Sequence, residues 1–105
     1  MTLAASDPKI TAFLGAWHEA ERAAFRSWDH LDYDSYEPKS AKERRRFIAL
    51  DKGKAHQTRG VYLVDRVTKE VYSIKAYGVP NRPLGSIEAM TTKFLAAGEL
   101  GGEKR

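Results

Sequence analysis

An α+β fold is predicted, built as a long N-terminal helix, a three-stranded antiparallel meander and a short C-terminal helix. Three observations carry the prediction. Apolar residues recur at three- and four-residue steps from Ile10 to Leu31. Three runs rich in β-branched and aromatic residues follow in the middle of the chain. A second helical stripe, Ile87, Met90, Phe94 and Ala97, comes after them. The order α-β-β-β-α suits helices layered on an antiparallel sheet. At 105 residues the chain reads as one domain, 1–105, with residues 1–6 and 99–105 expected to fray.

The first helix is expected over residues 7 to about 28. Asp7 or Ser6 can cap it, and Pro8 fits the first turn, where a missing N–H is no loss. Ile10, Phe13, Leu14, Trp17, Ala24, Phe25 and Trp28 fall on one face. Twenty-one helical residues would span about 31 Å, so one end is expected to overhang a small sheet. Residues 29–38 form an acidic, aromatic connector that Pro38 ends.

The predicted strands are Arg46–Lys52, Gly60–Arg66 and Glu70–Tyr77. A three-residue loop, Val67-Thr68-Lys69, joins the last two and puts Lys69 at a left-handed position. That loop sets Val64 opposite Tyr72 and Tyr62 opposite Ile74. The core face is then Tyr62, Val64, Tyr72, Ile74 and Ala76, joined by Ile48 and Leu50. Gly78 to Gly85 carries two Pro and two Gly and is expected to be irregular. Ser86 caps the second helix, which Gly98 should stop.

Composition narrows the function classes. Hydrophobic residues make up 42%, with two Trp, five Tyr and four Phe, which suits a folded chain. The absence of cysteine excludes disulfides, thiol catalysis and Cys-based zinc sites. The first residues lack the basic and apolar regions of a signal peptide, and no apolar run approaches the ~20 residues of a membrane span. A soluble, cytoplasmic protein without membrane contact is the default expectation.

The net charge of +4 is unevenly spread. Residues 1–38 hold three bases and seven acids, whereas residues 39–105 hold fifteen bases and seven acids. Arg44, Arg45 and Arg46, with Lys52, Lys54 and Arg59, form the candidate phosphate-binding set. The competing expectation is that the arginines pair with the acidic connector and the patch disappears into the fold. Asp29, Asp32, Tyr33, Asp34 and Tyr36 of that connector form the candidate protein-docking set.

Glu21 lies near the middle of the Trp17/Trp28 stripe, where a carboxylate is costly unless paired. Desolvation would raise its pKa and suit it to acid–base chemistry. A salt link to Lys75 or an arginine is the favoured expectation. Asp32-Tyr-Asp34-Ser-Tyr36 lacks the third ligand and the glycine of a calcium loop, and His18, His30 and His56 have no ligand spacing. Gly53-Lys54 is not a phosphate loop, having no upstream glycine and no following Ser or Thr. No metal, cofactor or catalytic group is therefore expected.

Two resemblances add to this reading. The predicted topology is similar to that of double-stranded RNA-binding domains, which implies shape recognition through basic residues. Here the second helix starts Ser86-Ile-Glu-Ala-Met, with Glu88 where those domains carry lysines. The run from Val64 to Pro80 resembles a V-D-R-x-T-G-E-V-Y-x-I-K-x-Y-G-V hairpin of small uncharacterised phage and mobile-element proteins. Lys69 stands where that pattern has Gly. The resemblance implies a small regulator or an inhibitor of host defence.

The leading expectation is a non-enzymatic binding protein of phage or mobile-element origin. It would contact nucleic acid, or a protein that handles it, through residues 39–59. The alternatives are a protein-interaction module using the acidic connector and the Trp-bearing helix, and a small acid–base enzyme using Glu21. Contact between opposite poles of two copies, or the overhanging helix, would permit a homodimer.

Overall fold

The computed structural model describes residues 2–24, 38–53 and 58–103. Helix α1 runs Pro8–Ala24. Its predicted continuation through Phe25 and Trp28 lies outside the described residues. Asp7 caps it: its Oδ1 accepts from the Lys9 N–H at 2.9 Å. Strands β1 (Lys39–Glu43), β2 (Phe47–Lys52), β3 (Arg59–Asp65), β4 (Glu70–Ala76) and β5 (Val79–Ser86) follow, and helix α2 spans Ile87–Glu103.

Among the described residues the sheet therefore has five antiparallel strands in the order β1-β2-β3-β4-β5, not the three expected. Both additional strands are edges, and edges hide from sequence patterns. β1, Lys-Ser-Ala-Lys-Glu, reads as a charge run, yet charged lysines are what exposed edges carry. β5 contains Pro80 and Pro83, which an edge strand tolerates because one row of its N–H groups needs no partner. Its pairing with β4 shifts register three times, so no alternation survives in the sequence. Residues 79–85, expected to be irregular, thus lie in a strand.

The β3–β4 loop takes four residues, Arg66–Lys69, where three were expected. Lys69 does adopt the left-handed conformation, with φ of 63°. The additional loop residue moves the register by one, so Val64 faces Val71 and Leu63 faces Tyr72. A one-residue slip exchanges faces. Val71 enters the core, and Tyr72, assigned to the core by the shorter loop, points to the other side. Asp65 builds the loop by accepting from the Val67 and Thr68 N–H groups at 2.8 and 3.0 Å. The hydrogen bond from Thr68 holds the Asp65 carboxyl below its usual range, against the opposing effect of burial.

Both helices contribute to one core with the sheet. Ile10, Phe13 and Trp17 of α1 meet Ile48 and Leu50 of β2, Val64, Val71, and Ile87 and Met90 of α2. The Tyr62 ring packs edge-on to Phe13 and Trp17, with centroids 5.8 and 5.1 Å apart. Leu3 is buried and its N–H donates to the Arg66 carbonyl at 2.8 Å, so the segment before α1 is anchored where fraying was expected. Ser86 caps α2 through the Ala89 N–H at 3.1 Å. α2 continues past Gly98, the predicted stop, to Glu103.

Candidate nucleic-acid interface

Arg44, Arg45 and Arg46 form the tight turn between β1 and β2. The Arg44 N–H donates to the Phe47 carbonyl at 2.9 Å, which leaves Arg45 and Arg46 at the tip. Two-residue hairpins favour left-handed central residues, and neither arginine has a positive φ. The turn is held from outside by Arg66. Its guanidinium donates to the carbonyls of Arg44 and Arg45 at 3.0 and 3.3 Å and to that of Leu3 at 2.7 Å. The Arg66 N–H also donates to the Arg46 carbonyl at 3.0 Å. Glu43 completes the clamp, 3.4 Å from Arg66 and accepting from the Ala5 N–H at 2.9 Å.

This clamp leaves the three arginine side chains exposed. Arg44 lies over the Tyr77 ring at 5.9 Å and Arg46 over the Phe47 ring at 5.3 Å. Arg46 also reaches Asp65 at 3.8 Å. Among the described residues, Arg44 and Arg45 have no carboxylate partner. Asp29, Asp32, Tyr33, Asp34 and Tyr36, the expected docking set and the expected acidic counterpart of the arginines, lie outside the described residues. So do Lys54, His30 and His56.

The other members of the basic set separate. Arg59 is exposed at the start of β3. Lys52 is turned inward to Glu21, with Nζ 2.9 Å from Oε2, and Lys39 binds the other oxygen at 2.8 Å. Lys39 also lies 3.2 Å from His18 Nδ1 and over the Trp17 ring at 5.1 Å. Lys52 is thus a structural residue, and Lys39 is a buried cation that sequence reasoning left in the charge run. Glu21 pairs as the stripe position demands, but with these lysines and not with Lys75.

Burial pushes the Glu21 carboxyl up, but hydrogen bonds and charge from Lys39 and Lys52 outweigh it and hold it below the ordinary 4.5. Burial and the Glu21 charge in turn raise the Tyr62 phenol. Glu21 is accordingly an ionised structural carboxylate and lacks the raised pKa on which the acid–base alternative depended. A depressed folded-state pKa contributes stability above pH 4.5, lost as pH falls through the folded value. Glu21→Gln is expected to cost about 1–3 kcal/mol at pH 7, because the Lys39 side chain is only 3% exposed. Urea denaturation of both proteins should show this difference shrinking below pH 4.5.

The sheet face opposite the helices carries the remaining candidate groups. Alternation places Phe47, Ala49 and Asp51 of β2, Leu63 of β3, and Tyr72 and Ile74 of β4 on it. Phe47 and Tyr72 pack edge to face, with centroids 6.1 Å apart. A bulge between Leu50 and Asp51 brings Gly60 opposite Asp51. Ala49, Asp51 and Leu63 are buried on it, at 2%, 0% and 2% exposure. Sequence reasoning missed Asp51 and Arg66 as site residues, whereas Tyr62, Tyr72 and Tyr77 were expected to offer stacking surface if they faced outward; of the three, Tyr77 is half exposed.

Comparison with protein-family models, with curated proteins and with solved structures finds no match. Among the described residues, no helix is long and apolar enough to cross a membrane.

Proposed function

We propose that the chain is a small nucleic-acid-binding protein that engages phosphates through the Arg44–Arg46 turn. One observation carries the reading: Arg66, paired with Glu43, holds the backbone carbonyls of the turn while Arg44 and Arg45 are exposed without a carboxylate partner among the described residues. A preformed cluster of guanidinium groups suits phosphate oxygens, which it contacts in bidentate fashion. Arg44 and Arg46 lie against aromatic rings, which limits the side-chain freedom lost on binding. The resemblance of the β3–β4 hairpin to phage and mobile-element proteins supports a small binding protein of that origin.

The docking alternative is weakened because Trp17 is in the core, only 2% exposed. Fluorescence anisotropy with labelled single-stranded and duplex DNA tests the proposal. Binding is expected to weaken with salt at a log–log slope of about −2 or steeper, corresponding to three or so phosphate contacts. Salt-independent binding, or none at about 50 mM salt, would overturn it.

A further inference from the structure

We propose that a second copy of this chain pairs with the outer edge of β1, antiparallel and centred on Ala41, so that one sheet runs through both copies. The inference goes beyond the nucleic-acid reading and does not depend on it.

Hydrogen bonds at both ends of the β1–β2 pair set the phase of its ladder. The Arg44 N–H donates to the Phe47 carbonyl at one end and the Gly53 N–H to the Pro38 carbonyl at the other, each at 2.9 Å. Between them the register is unbroken, from Glu43 opposite Ile48 to Lys39 opposite Lys52. Antiparallel pairs alternate between bonded and non-bonded positions, so Ser40 and Lys42 bond to β2. Lys39, Ala41 and Glu43 therefore turn their N–H and C=O groups outward along the edge. Nothing among the described residues pairs with the outward groups of Ala41 and Glu43.

The other edge differs. In β5, Pro80 and Pro83 lack the N–H that a ladder needs, and the register shifts three times, so that edge resists a further strand. β1 has no proline, glycine or bulge. Its lysines deter a strand of unlike pattern, but the order Lys-Ser-Ala-Lys-Glu answers itself. In a pair centred on Ala41, Lys39 lies opposite Glu43 of the second copy, and Lys42 opposite Ser40. Lys39 and Glu43 share one side of the sheet, where Glu21 and Arg66 already hold them. Slipping the pair by two residues either way leaves only three of the five residues paired, and one direction sets Lys42 against Lys42. The contact is isologous and closes at two copies. It is a small interface, so dissociation is expected in the micromolar range.

Sedimentation velocity of the full chain at about 5 and 200 µM tests the pairing. The mass is expected to move from that of one chain toward that of two. Ala41→Pro removes an outward N–H that β2 does not use, so it should stay monomeric at both concentrations with an unchanged circular dichroism spectrum. Disulfide cross-linking reads the register, because the chain has no cysteine of its own. Residues 40 and 42 of opposite copies face each other about 4.5 Å apart at Cα, within disulfide reach. Two copies of the same residue lie on a diagonal of roughly 7–8 Å, beyond it. Mild oxidation of mixed Ser40→Cys and Lys42→Cys chains is expected to give mixed dimers in at least about tenfold excess over self-linked ones. If Ala41→Pro fails to fold, the cross-link decides alone. A chain monomeric at both concentrations, a dimer that folded Ala41→Pro retains, or self-linked dimers as abundant as mixed ones would overturn the proposal. DNA binding, present or absent, bears only on the proposed function.

Discussion

Trp17→Ala is expected to destabilise the fold by about 4 kcal/mol, near the top of the range for single core truncations. Trp17 is only 2% exposed and is among the largest buried side chains. Its ring meets Phe13 at 6.3 Å and Tyr62 at 5.1 Å, and Lys39 lies over it at 5.1 Å. Removing the indole opens a cavity between α1 and the sheet and strips one face from the cation that Glu21 neutralises. In a chain of this size the cost corresponds to a fall in Tm of about 20 °C. Differential scanning calorimetry and urea titration read the effect directly. A Tm within a few degrees of the parent would mean that Trp17 is a surface anchor after all, and would restore the docking reading of the Trp stripe.

The sequence makes the parts of this fold that bury apolar surface visible, and hides the parts that do not. The α1 stripe of Ile10, Phe13 and Trp17 and the inward alternation of Ile48, Leu50, Tyr62 and Val64 were readable because burial imposes their period. Both caps, Asp7 and Ser86, were readable because capping demands particular side chains. β1 and β5 bury little, so nothing forces a pattern on them. The face of Tyr72 depended on one loop residue, and loop length is fixed by the Asp65 hydrogen bonds, not by composition. The site was legible in the same uneven way. Charge density marked Arg44–Arg46, but no count of charges separates Lys52, which neutralises Glu21, from an arginine that faces water. Asp51 and Tyr77 are 26 residues apart and meet only because β2, β3 and the end of β4 lie side by side.

Changing Arg44, Arg45 and Arg46 together to glutamine is expected to weaken single-stranded DNA binding at least about tenfold at 50 mM salt. It should also reduce the magnitude of the salt slope by about 2, or roughly 0.7 for each phosphate contact removed. The three side chains are exposed, and Arg66 grips the backbone of the turn, so the fold should survive. Exposed substitutions of this kind usually change stability by less than about 0.5 kcal/mol each. Lys52→Met makes the instructive contrast. It removes one positive charge from the same basic segment, yet that charge sits 2.9 Å from Glu21. Lys52→Met should therefore lower Tm and leave the salt slope unchanged, whereas the arginine variant should do the reverse. If net charge alone drove binding, each charge removed would lower the slope equally, and Lys52→Met would show about a third of the triple variant's loss. The ratio of the two slope changes thus separates a placed guanidinium cluster from a diffuse positive field, in a single titration series on folded protein.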